Sequence, residues 1–292
     1  MKIHVLSDAH ADFYIKERNE CHKMTKQITE FLKIIGVFEI PEQDRDVFII
    51  PGDLGHYFIQ NKEVLKELNN IFKHVILVAG NHDYYLVSKI QQKRYLNNSM
   101  NKFLELKRFC LDNSIHFLDG NVICIDGYRF AGVGMFWDSS FAKKDNLTDY
   151  EITQMYHKEM NDVNYIMSGY APYRVPIAYG AYYLQTSFNH KELFEKEKEK
   201  LNKITEDDMI DVMITHYLPL VPDDMPEKYL DDLSTTFYIF DGEEDIKRIK
   251  PKFWLFGHTH IKYNFEKFGT RFICNPFGYP GENHNKCLTL EL

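Results

Sequence analysis

Two packed, mixed β-sheets flanked by helices, an α/β architecture, is the fold class that the sequence predicts. Three observations predict it. Short β-rich runs alternate with helical patterns through the first half of the chain, a hairpin signal follows, and strands return after a segment that breaks the regularity at 139–207. The 292 residues, 44% apolar and 27% charged, suffice for a full core. We expect a single domain, 1–292, with a helical cap insertion at about 139–207.

The elements follow in order. Residues 3–7 (Ile-His-Val-Leu-Ser) read as the first strand. Met24, Ile28, Phe31, Leu32 and Ile35 then recur at helical spacing, and Gly36 supplies a C-terminal stop. Strands at 46–50 and 75–79 bracket a helix expected over 61–72, and another helix is expected near 99–113. Residues 122–125 and 128–131 flank an Asp126-Gly127 turn and form a hairpin. Strands at 211–215, 253–256, 261–266 and 271–274 complete the pattern, the last two joined near Gly269. The 139–207 segment is rich in tyrosine, and its stretch 190–203 alternates Glu and Lys as a solvated helix does.

Composition excludes several classes of function. No stretch approaches the roughly 20 apolar residues needed to cross a bilayer, and the first residues enter a strand pattern directly, so a cytoplasmic protein without a membrane partner is expected. The five cysteines are scattered and show no C-x-x-C spacing, which argues against a disulfide framework and a thiolate zinc site. With 35 basic and 43 acidic side chains the net charge is −8, and no basic run is present, so long nucleic acid is a disfavoured partner.

Hard-ligand residues fall one or two positions beyond the predicted strands. Asp8 and His10 follow the first strand, Gly52-Asp53 the second and Gly80-Asn81-His82-Asp83 the third; His216 follows 211–215, and Gly257-His258-Thr259-His260 follows 253–256. Five strand ends therefore converge on one edge, where layered α/β folds build their sites. The mixed oxygen and nitrogen set suits Mn²⁺, Fe, Zn²⁺ or Ni²⁺ better than Ca²⁺. It exceeds what one tetrahedral ion requires, whereas two divalent metal ions about 3.5–4 Å apart sharing a carboxylate would use it all, an arrangement recurrent in phosphoester hydrolysis.

In order and spacing these five blocks, from residue 8 to 260, resemble the signature of calcineurin-like metallophosphoesterases. The tail from Gly269-Thr270-Arg271 to Asn275-Pro276-Phe277-Gly278-Tyr279-Pro280-Gly281-Glu282 is similar to a branch of bacterial and phage members. The resemblance implies a four-layer α/β/β/α sandwich. It places one ion, manganese first among the candidates, on Asp8, His10, Asp53 and His260, and a second on Asp53, Asn81, His216 and His258, with Asp53 bridging. It also implies that His82 faces the phosphate as the acid for the leaving group or as a donor to the transition state. A hydroxide held between the two ions would be the nucleophile.

The expected activity is hydrolysis of a small phosphorylated molecule such as a nucleotide. Monoesters and diesters need the same ligands, so that choice stays open, as does the oligomeric state. A nuclease and a non-catalytic metal-binding scaffold are the alternatives; the acidic balance counts against the first and the complete ligand set against the second. Trp137 and Asp138, directly after the strand-like 131–136, are expected to line the cleft, and Arg174 to reach the phosphate from among the tyrosines of the insertion. Asp83 either orients His82 or caps a helix, and His56 and Asp12 read more simply as loop residues than as part of the site.

Overall fold

The computed structural model describes residues 1–17, 20–177, 180–185, 188–282 and 284–292, and of 21 and 170–185 the backbone. Its strands are β1 (Lys2–Val5), β2 (Val47–Pro51), β3 (His74–Val78), β4 (His116–Phe117), β5 (Asn121–Ile125), β6 (Tyr128–Gly132), β7 (Tyr170–Ile177), β8 (Gly180–Gln185), β9 (Val212–Ile214), β10 (Phe253–Phe256), β11 (Tyr263–Lys267), β12 (Thr270–Cys274) and β13 (Leu288–Glu291). One sheet runs β13-β1-β2-β3-β4 and the other β11-β12-β10-β9-β6-β5. In the first, β1 to β4 are parallel and β13 is antiparallel; in the second, β12, β10, β9 and β6 are parallel between two antiparallel edges.

The two-residue period of a strand explains why the sheets stack. Ile3, Val5, Val47, Ile49, Ile76 and Val78 of the first sheet share one core with Val212, Ile214, Phe253, Leu255 and Ile273 of the second. The residues between them, Phe48, Ile50 and Leu77 on one side and Met213, Trp254 and Phe256 on the other, point outward beneath the covering helices. The central parallel strands are buried on both faces, which is why β2, β3, β9 and β10 read as continuous apolar runs. The predicted four layers are therefore present.

Helices Cys21–Ile34, Phe58–Ile71 and Ser99–Asp112 form where the apolar periodicity places them. Gly36 adopts φ 81° just past the first, and Asn98 caps the third by accepting from the Met100 N–H. Asp126 and Gly127 turn the β5–β6 hairpin at φ 49° and 86°, the positive pair that tight hairpins require. Among the described residues no helix is long and apolar enough to cross a membrane.

The inserted segment departs from the helical expectation. It carries helices at Ser140–Lys143, Asp149–Glu159, Asp162–Tyr165 and His190–Leu201, but Tyr170–Ile177 and Gly180–Gln185 pair as an antiparallel two-stranded ribbon. Tyrosine, valine and isoleucine concentrate in those two runs, and aromatic and β-branched side chains favour the pleated conformation. Strands β4 and β13 carry no periodic signal, being two residues at a sheet margin and a half-exposed edge.

Candidate metal centre

Asp8, His10, Asp53, Asn81, His82, His216, His258 and His260 meet at the C-terminal edge of the parallel strands. The two sheets are stitched together there: the Ser7 N–H donates to Asn275 O, the Phe277 N–H to Ser7 O and the Gly278 N–H to Asp8 O. Five of the eight hold the backbone at positive φ, namely Asp8 (50°), His10 (40°), Asp53 (56°), His258 (67°) and His260 (52°). Non-glycine residues seldom adopt this region and each costs on the order of 1–3 kcal/mol, so its concentration at one edge marks a backbone over-determined by its surroundings to aim side chains inward.

Two glycines make the approach possible. A Cβ on Gly52, itself at φ +87°, would lie 2.4 Å from His216 Nδ1, and a Cβ on Gly80 would lie 2.1 Å from Asp53 Oδ1.

The donor atoms form two groups, Asp8 with His10 and His260, and Asp53 with His216 and His258, while His10, Asp53 and His82 lie within reach between them. His10 Nε2 is 3.0 Å from His260 Nε2, and His260 Nε2 is 3.8 Å from Asp8 Oδ1. In the other group His216 Nε2 is 3.2 Å from Asn81 Oδ1 and 3.4 Å from Asp53 Oδ2. Ligand atoms about 2.1 Å from a common ion lie about 3.0–3.4 Å apart, so most of these separations suit a shared cation. Asp8 Oδ2 is buried with no hydrogen-bond partner, which a cation would also satisfy.

Ring orientation follows from the outer nitrogens. His216 Nδ1–H donates to Pro51 O at 2.8 Å and His260 Nδ1–H to Glu282 Oε2 at 2.8 Å, so each turns a bare Nε2 inward. His258 Nε2–H donates to Phe237 O at 3.2 Å and leaves Nδ1 for the site. Burial pushes the Asp8 carboxyl up and His10 down to about 3. At His216 burial is outweighed by the Asp53 carboxylate and the value rises to about 9; burial is likewise outweighed at Asp53, which His216 and His82 hold well below the usual range. A divalent ion supplies the positive charge that Asp53 draws onto His216, so the donor set fits two such ions.

The family model for calcineurin-like phosphoesterases matches residues 1–262. The chain belongs to this family. It is a metal-dependent phosphoric ester hydrolase of a family that uses two divalent ions, and it carries His and Asp clusters that could hold metal ions. An uncharacterised protein of Acanthamoeba polyphaga mimivirus is 22% identical over 86% of this chain and 85% of its own. The crystal structure of phosphopantetheinyl hydrolase from Mycobacterium tuberculosis shares the fold at a TM-score of 0.66 with 16% identity, over 96% of this chain and 90% of that one.

In this phosphoesterase His82 stands at the end of a chain of polar groups. Asp12 Oδ2 accepts from His56 Nδ1–H at 2.8 Å, so the neutral His56 ring presents Nε2 as an acceptor to His82 Nδ1–H at 2.6 Å. His82 Nε2 then faces the cleft, 3.2 Å from the Tyr279 hydroxyl, and Tyr279 stacks on His10 with centroids 4.3 Å apart. Burial holds His82 well below the ordinary imidazole value. His56 is thus no free loop residue. Asp83 caps instead of orienting His82: its Oδ2 accepts from the N–H groups of Gly80 at 2.8 Å and Asp53 at 3.2 Å.

The centre opens into a cavity of about 960 Å³ bordered by Tyr85, Glu159, Met160, Tyr229, Asp232, Tyr238, Lys262 and Tyr263. Two residues expected to line it lie elsewhere. Trp137 is fully buried, stacked on His190 and packed against Tyr156 and Phe237, because the chain beyond Phe136 turns into the core. The Asp138 carboxylate accepts from the Ser140 and Asp241 N–H groups at 2.9 Å each and serves a turn. The Arg174 side chain lies outside the described residues. Sequence reasoning missed Tyr279, Glu282 and Asp162 as parts of the site; of these Tyr279 and Glu282 carried a hint, as members of the family-like tail.

Proposed function

We propose that this phosphoesterase hydrolyses a small organic phosphate ester in the cavity at the sheet edge, on two divalent ions held by Asp8, His10, Asp53 and His260 and by Asp53, Asn81, His216 and His258. The observation that carries the reading is the pair of donor clusters linked through His10 and Asp53 beside that cavity. Two such ions, manganese first among Mn²⁺, Fe, Zn²⁺ and Ni²⁺ for this nitrogen and oxygen set, polarise the phosphoryl group and supply a nucleophilic water near neutral pH.

The chain's own residues do the rest. His82 reaches into the cleft with Nε2 while Nδ1–H stays tied to His56, so Nε2 is the atom that carries a proton to the leaving oxygen. An incoming phosphate anion supplies the negative charge that stabilises the imidazolium against burial. Glu282 and Pro51 hold the His260 and His216 rings in place.

Lining chemistry supports a small substrate. Among the described lining residues Lys262 is the single cationic side chain besides the histidines, whereas Glu159, Asp232 and Glu282 are acidic. Such a rim repels a polyanion, and the reading excludes long nucleic acid as substrate. Its volume lies in the range of small-molecule sites. The test is the ratio of Mn²⁺-dependent hydrolysis of bis-(p-nitrophenyl) phosphate to that of p-nitrophenyl phosphate. A ratio well above one assigns a diesterase and one well below assigns a monoesterase. No turnover of either ester by the loaded protein would overturn the proposal in favour of a scaffold.

A further inference from the structure

We infer that Asp162, a carboxylate of the inserted segment 139–207, is a positioning residue that locks the Asn81 side-chain amide with its oxygen toward the second metal position. The inference rests on the reading of Asn81 as a ligand. Asp162 is fully buried, and two of the three hydrogen bonds described for its carboxylate come from Asn81 and Tyr85, which line the cavity. Its Oδ1 accepts from Asn81 Nδ2 at 2.7 Å and from the Tyr85 hydroxyl at 2.5 Å, and its Oδ2 accepts from the Tyr156 hydroxyl at 2.9 Å.

The chemistry of an amide makes this decisive. Asn81 has an oxygen on one side and an NH₂ on the other, and a half-turn about its terminal bond exchanges them. A carboxylate only accepts hydrogen bonds, so the side facing Asp162 must be the NH₂. The oxygen then faces His216, 3.2 Å from Nε2, where the second ion would bind. The residue before Asn81 cannot supply this constraint, because Gly80 has no side chain. Residue 162 lies 81 positions along the chain from Asn81, so the inserted segment is wired directly into the metal centre. Tyr156, which ends the chain of donors, sits on the helix Asp149–Glu159 of the same segment and packs on Trp137.

Two explanations of a role for Asp162 are separable, its negative charge and its acceptor geometry. Asp162→Asn removes the charge but keeps a carbonyl oxygen for Asn81 Nδ2, while its new NH₂ donates to Tyr156. Asp162→Leu removes both. The experiment titrates metal-free protein with Mn²⁺ by calorimetry and counts ions and affinities, with far-UV circular dichroism to verify folding.

Wild type is expected to take two ions, Asp162→Asn to match it within a few-fold, and Asp162→Leu to lose about 10–100-fold in affinity for one ion only, the usual cost of removing a hydrogen bond that orients a ligand. Folded Asp162→Leu with both affinities unchanged overturns the inference, as does Asp162→Asn as damaging as Asp162→Leu. Should Asp162→Leu fail to fold, a second pair decides. Asn81→Asp adds a charged ligand yet sets two carboxylates against each other, so it should bind the second ion more weakly than wild type; Asn81→Asp with Asp162→Asn should restore it, because the amide at 162 then donates to residue 81. A tighter second ion in Asn81→Asp alone overturns the inference. A wild-type protein that takes up no metal overturns both this inference and the metal reading on which it rests.

Discussion

The sheet edge and the inserted segment 139–207 reach the same cleft by different routes. At the sheet edge each functional side chain sits within a few residues of a strand end, on a backbone bent to positive φ or beside a glycine that leaves room for it. The site is built locally, five times over, and the sheets bring the five pieces together. The insertion contributes through single side chains, Asp162 at Asn81 and Glu159 and Met160 at the cavity wall, with no motif around any of them. Its larger share is packing, as Trp137, Tyr156, His190 and Phe237 form one aromatic cluster beneath it. Chemistry placed by local backbone geometry and chemistry placed by tertiary hydrogen bonds should therefore fail differently when mutated.

The largest expected effect lies at the edge. Asp53→Asn keeps the shape but weakens the side chain proposed to bridge the two ions, so kcat/KM should fall by at least about 10³-fold and metal content should fall with it. Metal analysis beside steady-state kinetics checks both; full metal content with lost activity would break the bridging assignment. His82→Ala comes next, and should spare metal content while slowing turnover about 10²- to 10⁴-fold. The slowing should be greater for alkyl than for nitrophenyl esters, because nitrophenolate leaves without a proton. Equal slowing of the two would show that His82 is not the acid.

In the aromatic cluster beneath the insertion the same scale of energy should appear as stability. Trp137→Ala removes a fully buried ring and should destabilise the fold by about 3–5 kcal/mol in denaturant titration, with kcat/KM per folded molecule unchanged. A selective loss of kcat/KM in a protein of wild-type stability would instead return Trp137 to the cleft.

His190 gives the smallest effect and a defined sign. Burial lowers it to about 4, so the folded imidazole is neutral while an unfolded chain takes up a proton below about 6.5. Its contribution is present above about pH 6.5 and is lost as pH falls toward about 4. His190→Phe keeps the stack on Trp137, so its stability should decline less over that window, by on the order of 1–2 kcal/mol. Parallel pH profiles for the two proteins would contradict this.

What was legible in the sequence follows the same division. Short, continuous apolar runs placed the parallel strands, and Asp8, His10, Asp53, Asn81, His82, His216, His258 and His260 stood out because strand ends expose hard-ligand residues with glycine beside several of them. Strands β7 and β8 were hidden by the helical patterns on either side of them, although their tyrosines and β-branched residues carried the signal. His56 looked like a loop residue because nothing nearby in sequence announces that its ring stands between Asp12 and His82. Trp137 misled for a related reason: position after a strand says that a residue is near an edge, not which way the chain then turns. Asp162 had no legible signal at all, since its meaning lies in three donors that only the folded chain assembles.

The central claim is that the edge holds two ions and that hydrolysis needs both. The most direct measurement follows the initial rate of phosphate ester hydrolysis while metal-free protein is titrated with Mn²⁺ and bound metal is counted in the same samples. The account predicts a rate that stays low through the first equivalent, rises with the second and levels at two ions per chain. A full rate at one bound ion, or in metal-stripped protein, would contradict it.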